Sequence, residues 1–163
     1  MAYNPDLTTL GFLVRDNTVL MVHRIARDTD EQLGKWNGLG GKVEPGEDAW
    51  QAMTREIREE AGVEVTSMRL RGSINWPGFH ADGTGVFALV FLIDAWEGEI
   101  LKENEEGPLA FQPIDNLANL EMWGGDRFFI PLVFDPDVES FHLVIPYEDG
   151  EEKGWDGTIR RYS

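Results

Sequence analysis

The chain has no cysteine, no long apolar run and few basic residues. Without cysteine it forms no disulfides and offers neither thiolate metal ligands nor a cysteine nucleophile. No apolar stretch approaches the ~20 residues that a membrane-spanning helix requires. The segment MAYNPDLTTL also lacks a basic region followed by an apolar run, so no secretory signal is visible. These absences favour a cytoplasmic protein that does not enter a membrane.

Acidic residues dominate the charge of the chain. The 30 Asp and Glu residues against 14 Lys and Arg give a formal net charge of −16 at pH 7. Such a surface repels polymeric nucleic acid, because binding to a phosphate backbone depends on Lys and Arg displacing counterions. A small phosphorylated ligand remains compatible with it when divalent cations lie between protein carboxylates and phosphates. We therefore predict a small-molecule partner, and no polymeric nucleic acid.

The chain does contain enough apolar sequence to form a core. Hydrophobic residues make up 42% of its 163 residues, with six Trp and nine Phe. A chain of this length buries roughly 70% of its unfolded surface in one core. We expect one globular domain over 1–163, as a monomer or a homodimer.

Local patterns predict a mixture of strands and helices. The central helix is predicted over 47–61, with Glu47 and Asp48 in its first turn and Gly62 beyond its end. A second helix is predicted over 126–134, and the Gly-rich segment 35–42 cannot form a regular helix. The predicted strands are 8–14, 19–24, 63–74, 86–96, a short one within 98–105, 109–114, 140–146 and 158–162. Strands around one strong helix predict α/β (α+β) layering with a mixed sheet.

The central helix carries carboxylates on one side. Successive helical residues turn by ~100°, so Trp50, Met53, Ile57 and Ala61 are expected to face the core. The same geometry places Glu56, Glu59 and Glu60 on one patch directed away from that stripe. Like charges at this spacing destabilise a helix, and hard divalent cations relieve the repulsion. A solvated acidic face is the alternative interpretation of three glutamates alone.

The segment 41–63 matches a longer pattern than three glutamates. It contains a Gly, five residues, a Glu, seven residues and then Arg-Glu-aliphatic-x-Glu-Glu-x-Gly-aliphatic, which is the Nudix box. The matching residues are Gly41, Glu47, Arg55, Glu56, Ile57, Glu59, Glu60, Gly62 and Val63. The sequence therefore resembles the Nudix hydrolases, which implies a mixed sheet sandwiched between helices and hydrolysis of a phosphoanhydride bond.

The resemblance also implies roles for the residues of the box. The implied ligands of Mg²⁺ (or Mn²⁺) are Glu56, Glu59 and Glu60, with the backbone carbonyl of Gly40 or Gly41. Glu47 and Arg55 are implied to be structural, because their ion pair would join the loop to the helix. The general base is not the same residue in every member of the family. Glu56 and Glu59 are candidates, as is the later Glu105, with Glu106 as the fallback.

Similarity to the family extends to its MutT-type purine branch, which hydrolyses 8-oxo-dGTP to monophosphate and pyrophosphate. It rests on two separated stretches, WNGLGGKVEPGE and MWGGDRFFIPLVF. The resemblance implies that Asn37 hydrogen-bonds the base, Trp123 stacks on it, Asp126 reads its Watson–Crick edge and Arg24 lies near the phosphates. Animal members of the branch carry two adjacent Asp after Trp-Pro, whereas here two glycines precede a single Asp126.

Alternative interpretations of these residues remain open. Asn37 suits a turn, Trp123 a core, Asp126 a helix N-cap and Arg24 a solvated strand end. Pro77 lies near the position at which ADP-ribose pyrophosphatases of the family carry a proline, which keeps ADP-ribose or a dinucleoside polyphosphate as an alternative substrate. A nucleotide-binding domain without turnover is a third possibility, although binding-only members usually lose glutamates of the box.

Overall fold

β-Strands form the framework of the protein, which we describe over residues 1–163 from a computed structural model. Strands and helices follow one another as β1 Asp6–Arg15, β2 Thr18–His23, β3 Trp36–Asn37, β4 Leu39–Lys42, α1 Ala49–Ala61, β5 Glu64–Trp76, β6 Val86–Glu97, β7 Glu103–Asn104, β8 Gly107–Pro113, a 3-10 helix Ile114–Asn119, α2 Asp126–Phe134, β9 Val138–Val144, β10 Tyr147–Glu148, β11 Glu151–Glu152 and β12 Asp156–Arg161. Each predicted strand is present, with ends that differ by a few residues from the sequence pattern.

The sheet is mixed, as predicted. Its strand order is β12-β9-β5-β6-β1-β2-β8-β7, with β3 paired to β2 and β4 paired to β1. The pairs β1–β6 and β5–β9 are parallel, and the other pairs are antiparallel. Pairing of β4 with β1 sets Gly41 opposite Thr9, which brings the Gly-rich segment to the centre of the sheet.

Two apolar clusters lie on opposite faces of this sheet. Along β6, Ala88 and Val90 belong to one cluster, and Phe91 and Ile93 belong to the other. The first cluster includes the buried side chains of α2, and the second includes those of α1. The central strands are therefore apolar on both faces. This arrangement confirms a mixed sheet sandwiched between helices.

Helix α1 begins two residues later than predicted. Asp48 is its N-cap rather than a first-turn residue: Asp48 Oδ1 accepts from the Gln51 backbone N–H at 2.8 Å, and Gln51 Oε1 accepts from the Asp48 N–H at 2.9 Å. Gly62 ends the helix with a φ of 76°, as predicted. Trp50 was wrongly assigned to the core, because it is 51% exposed and meets Phe91 only edge-on.

Helix α2 has the predicted bounds, but its ends are stabilised from elsewhere in the fold. Its N-cap is Gly125, without a side-chain cap, so the N-cap interpretation of Asp126 is wrong. The fully buried Arg71 of β5 donates to carbonyl oxygens at the other end, including Val133 at 3.0 Å and Leu132 at 3.1 Å. Neither helix has the length and apolar character needed to cross a lipid bilayer.

Candidate active site

A cleft lies beside β1 and β4. Five residues that the sequence predicted for the site line it: Arg24, Asn37, Gly41, Trp123 and Asp126. They come from the residue after β2, the Gly-rich segment, and the start of α2 with the turn before it, which are far apart in the chain. The structure therefore brings the predicted binding residues together in one cavity.

The glutamates of α1 line a second, acidic cavity together with Glu105 and Glu106. Glu56, Glu59 and Glu60 share this cavity, but Glu59 is exposed whereas Glu56 is only 9% exposed. The reason is Gly41, which packs directly on Glu56. A Cβ at Gly41 would lie 2.6 Å from the Glu56 Cδ, so only glycine leaves room for this carboxylate against the backbone. Tertiary packing thus turns one carboxylate inward.

Arg55 joins the loop before α1 to the carboxylates. Its Nε donates to Glu47 Oε2 at 2.7 Å and its Nη2 donates to Glu47 Oε1 at 2.9 Å. Its Nη1 donates to Glu56 at 2.8 Å and to Glu59 at 3.3 Å. These hydrogen bonds, Glu47 first, raise the pKa of Arg55 above its ordinary value. The guanidinium is therefore a fixed positive charge beside two of the three glutamates.

The remaining glutamate of the box is held by backbone. Glu60 Oε2 accepts from the Gly40 N–H at 3.0 Å. Burial raises the pKa of Glu60 to about 9, and the negative charges of Glu106 and Glu56 act in the same direction. Burial also raises the pKa of Glu56, against the effect of Arg55. This cavity therefore contains more carboxyl groups than its surroundings keep ionised.

The donor set fits a divalent cation. Carboxylate oxygens and backbone carbonyls are the ligands that Mg²⁺ and Mn²⁺ prefer, and a bound cation would favour the ionised forms of the buried Glu56 and Glu60. As the side chains stand, no group of three acidic or imidazole side chains converges to hold an ion. Arg55 and the Gly40 N–H engage the carboxylates in this arrangement. The residues are thus suitable ligands for a divalent cation, and in this structure the Arg55 guanidinium is the positive charge beside Glu56 and Glu59.

The two later glutamates differ in position. Glu105 is 87% exposed at its side chain and pairs with Arg27 at 2.7 Å. Glu106 is 25% exposed, pairs with Arg24 at 2.8 Å and raises the pKa of both Glu56 and Glu60. The contacts of Glu106 bring the fallback residue closer to the buried carboxylates than Glu105, whose predicted catalytic role stays a prediction.

Arg24 is not the solvated strand-end residue of the alternative interpretation. Its side chain is 18% exposed, and its Nε lies 2.8 Å from Asp30 Oδ2. Its Nη1 donates to Glu106 at 2.8 Å. Arg24 therefore links the wall of the cleft to the acidic cavity, and its proximity to phosphates stays a prediction.

The opposite end of the cleft is aromatic. Phe79 lies 4.8 Å from Trp123 between ring centroids, and the Lys35 Nζ lies 4.9 Å from the Trp123 ring centre. The Trp123 Nε1 and the Asn37 Nδ2 both donate to Gln32 Oε1 at 3.0 Å. Asn37 and Trp123 are therefore joined through a third side chain that also lines the cleft.

Asp126 is buried at this aromatic end. Burial raises its pKa to about 7, while the Trp123 backbone, Lys35 and Arg127 act in the opposite direction. Near neutral pH the carboxyl group is therefore present in both forms, and it can donate or accept a hydrogen bond.

The residue before Asp126 explains the departure from the two-Asp pattern. A Cβ at Gly125 would lie 2.8 Å from both the Ile145 Cγ2 and the Tyr147 hydroxyl. That hydroxyl accepts from the Gly125 N–H at 2.9 Å. The turn is packed too closely on this segment for a second aspartate at position 125.

The sequence did not reveal several residues of the cleft. Gln32 and Phe79 lie in loops without periodicity, and Thr9 lies on a strand in which nothing marks it. The Thr9 hydroxyl is buried without a hydrogen-bond partner and lines the cleft. His80, which also lines the cleft, bridges Asp6 at 3.1 Å and Glu31 at 2.9 Å. Only tertiary contacts identify these residues.

Comparison with known proteins agrees with this geometry. The NUDIX domain model matches residues 5–133. The chain is 37% identical over 131 residues to the oxidized purine nucleoside triphosphate hydrolase of Danio rerio, covering 80% of this chain and 81% of the relative. It is 31% identical over 116 residues to the Mus musculus protein of the same name, covering 71% and 73%. A MutT protein from Bacillus halodurans superimposes with a TM-score of 0.81 at 25% identity, covering 93% of this chain and 97% of that one. The chain therefore belongs to the Nudix hydrolase family, which confirms the prediction from segment 41–63.

Proposed function

We propose that the protein hydrolyses purine (deoxy)nucleoside triphosphates, preferring oxidised purines such as 8-oxo-dGTP, to the monophosphate and pyrophosphate. The observation that carries this proposal is the cleft itself. It joins Gly41 of the box to a base-sized aromatic site with Asn37, Trp123 and Asp126. The names of the Danio rerio and Mus musculus relatives agree with this substrate class.

At the acidic end, we propose that Glu56, Glu59, Glu60 and a carbonyl of the Gly40-Gly41 pair hold Mg²⁺ (or Mn²⁺). When bound, this ion would neutralise the charge that develops on the phosphoanhydride. Glu56, Glu59, Glu105 and Glu106 all line the acidic cavity, and one of them accepts the proton of the water that attacks the β-phosphorus. The structure favours Glu106 over Glu105, because its charge already acts on Glu56 and Glu60.

At the aromatic end, the Trp123 ring offers a stacking face, while Asn37 and Asp126 offer polar groups for the edge of a purine. With a pKa of about 7, Asp126 can present either a donor or an acceptor to the base. One aspartate that changes protonation state would therefore serve where animal members of the branch carry two.

We further propose that residues 1–163 act as one domain in the cytoplasm, where a nucleotide pool would supply the substrate. The strands β9 and β12, which lie beyond the family match, extend the same sheet. Tyr147, also beyond that match, hydrogen-bonds the turn that carries Trp123 and Asp126. We propose that the domain works as a monomer or a homodimer.

The position of Pro77 does not support ADP-ribose as the substrate. Its carbonyl accepts the Tyr147 N–H at 2.8 Å, so this proline anchors the turn between β9 and β10. Binding without turnover is disfavoured because every glutamate of the box is present.

A substrate panel tests the proposal. The protein would be incubated with Mg²⁺, or with Mn²⁺, and dGTP, 8-oxo-dGTP, dATP, CTP, ADP-ribose or diadenosine tetraphosphate, and the products separated. We expect pyrophosphate and nucleoside monophosphate, with the highest kcat/KM for an oxidised purine. Turnover of ADP-ribose alone would refute the substrate and leave the family assignment intact.

A further inference from the structure

Gln32 connects two residues that we place at the nucleobase. Its Oε1 accepts one hydrogen bond from the Asn37 Nδ2 and one from the Trp123 Nε1, each at 3.0 Å. Gln32 itself lies in the loop between β2 and β3, outside the box and outside any recognisable motif. It lines the same cleft as both of its partners.

The indole fixes the orientation of all three groups. An indole N–H can only donate, so the Gln32 atom that faces it must be the carbonyl oxygen. The Asn37 atom that faces this same oxygen must then be its NH₂ group. The Asn37 carbonyl oxygen is therefore left free of Gln32 as an acceptor for a ligand. Without Gln32, nothing in this chain of bonds distinguishes the two orientations of the Asn37 amide.

The backbone of Gln32 is itself held in place. Its N–H donates to Asp30 Oδ1 at 3.0 Å, and Asp30 is bound through two atoms by Arg24, at 2.8 and 3.2 Å. The side chain of Asp30 is 6% exposed. Arg24 in turn pairs with Glu106 beside the acidic cavity. The backbone of Gln32 is thus anchored to the ion pair between Asp30 and Arg24.

We propose that Gln32 is a positioning residue for nucleobase selection: by fixing the Asn37 amide and the Trp123 indole, it sets which base the cleft accepts. This inference rests on the proposed nucleotide site. Gln32 acts through its two partners, so its effect falls on affinity and base discrimination and not on the chemistry at the phosphates. Its carbonyl oxygen is the group that matters, and a side chain that accepts two hydrogen bonds can replace it.

The test compares Gln32→Met, which has a similar size but no acceptor, with Gln32→Glu, which keeps an acceptor. Gln112→Met, a glutamine of β8 outside the cleft, is the matched control. Affinities for dGMP, 8-oxo-dGMP and dCMP are measured without metal, so that no turnover is needed. The exchange rate of the Trp123 indole N–H, assigned by NMR with a Trp123→Phe variant, reports the hydrogen bond independently.

We expect Gln32→Met to speed indole exchange and to reduce the preference for the favoured purine over dCMP about 10-fold, as expected for one lost hydrogen bond. Gln32→Glu should restore most of both properties, and kcat should change little in either variant. Unchanged discrimination in Gln32→Met, or a Gln32→Glu variant as impaired as Gln32→Met, would overturn the inference alone. Failure of the wild type to bind any of the three monophosphates would instead refute the nucleotide site.

Discussion

The two ends of the active site are built in different ways. The acidic end comes largely from one continuous segment, 41–63, in which a loop and a helix supply all the glutamates of the box. The aromatic end is assembled from single residues of a short strand and of separate loops and turns, among them Gln32, Asn37, Phe79 and Trp123. A local sequence pattern can therefore define the chemistry of the first end, whereas the second end depends on tertiary contacts.

Both ends bury a carboxylate, but its surroundings differ. Glu60, with a pKa of about 9, is surrounded by other acids, so positive charge would stabilise its ionised form. Asp126, with a pKa of about 7, is buried beside aromatic rings and receives only weak help from Lys35 and Arg127. The environment of Glu60 suits a cation, and the environment of Asp126 suits a neutral nucleobase that forms hydrogen bonds. Variants that affect one end should spare the other.

The largest effect is expected from Glu59→Gln at the acidic end. Loss of a metal ligand or general base should lower kcat by about 10²–10⁴-fold. The side chain is 57% exposed, so the free energy of unfolding should change by less than about 0.5 kcal/mol. Pyrophosphate release measures kcat, and urea denaturation measures the free energy of unfolding. Glu64→Gln, with a side chain 52% exposed, is the control, and a fully active Glu59→Gln would refute the metal-site assignment.

A smaller loss is expected from Arg55→Lys. Lysine cannot reproduce the two-atom contact to Glu47 together with the bonds to Glu56 and Glu59. We expect activity to fall about 10–100-fold and the free energy of unfolding by about 1–3 kcal/mol. Nucleobase affinity should not change. Arg58→Lys on the same helix, whose partner is the exposed Glu64, provides the comparison. Equal effects of the two substitutions would contradict the special role of Arg55.

The same contrast explains how far the sequence predicts the site. The Nudix box identified the acidic residues, because their spacing along one helix is local. The helical wheel did not predict the burial of Glu56, since it contains no information about Gly41, which packs against this carboxylate. The helical wheel likewise placed Trp50 in the core, although its side chain is 51% exposed and meets Phe91 only edge-on.

At the aromatic end, similarity to the family pointed to Asn37, Trp123 and Asp126, but not to what holds them. Gln32 and Tyr147 are separated from their partner Trp123 by 91 and 24 positions in the chain, and no periodicity predicts such contacts. The same holds for most of the sheet. Alternation predicted the strands, but the parallel register of β1 on β6 follows from packing of the whole chain.

At the aromatic end, Asp126→Asn should separate stability from recognition. Because burial raises the pKa of Asp126 to about 7 from an ordinary value of 3.8, folding favours its protonated form. That stabilisation is complete below about pH 4 and is lost as the pH rises through 7. The neutral asparagine escapes this loss, so the variant should gain stability over the wild type between pH 4 and 8, by up to about 4 kcal/mol.

The measurement is urea unfolding of Asp126→Asn and wild type at pH 4 and pH 8, with the exposed Asp28→Asn as control. Purine affinity should fall about 10-fold in Asp126→Asn, because asparagine cannot change its protonation state. Kinetics at the acidic end should be unaffected. A stability difference that does not depend on pH would contradict the raised pKa.

The smallest effect is expected from Tyr147→Phe, behind the turn that carries Trp123 and Asp126. Tyr147 is 5% exposed, and its ring lies 5.7 Å from Trp123 and 5.2 Å from Phe79. Phenylalanine keeps this packing but leaves the Gly125 N–H without its partner, which should lower the free energy of unfolding by about 1–3 kcal/mol. A looser turn should raise KM about 3-fold at constant kcat, a fraction of the effect of one full hydrogen bond to the base. As a control, Tyr162→Phe at a residue that is 58% exposed should change neither the free energy of unfolding nor KM. An equal KM for Tyr147→Phe and the wild type would mean that the Tyr147 hydroxyl stabilises the fold without positioning the base site.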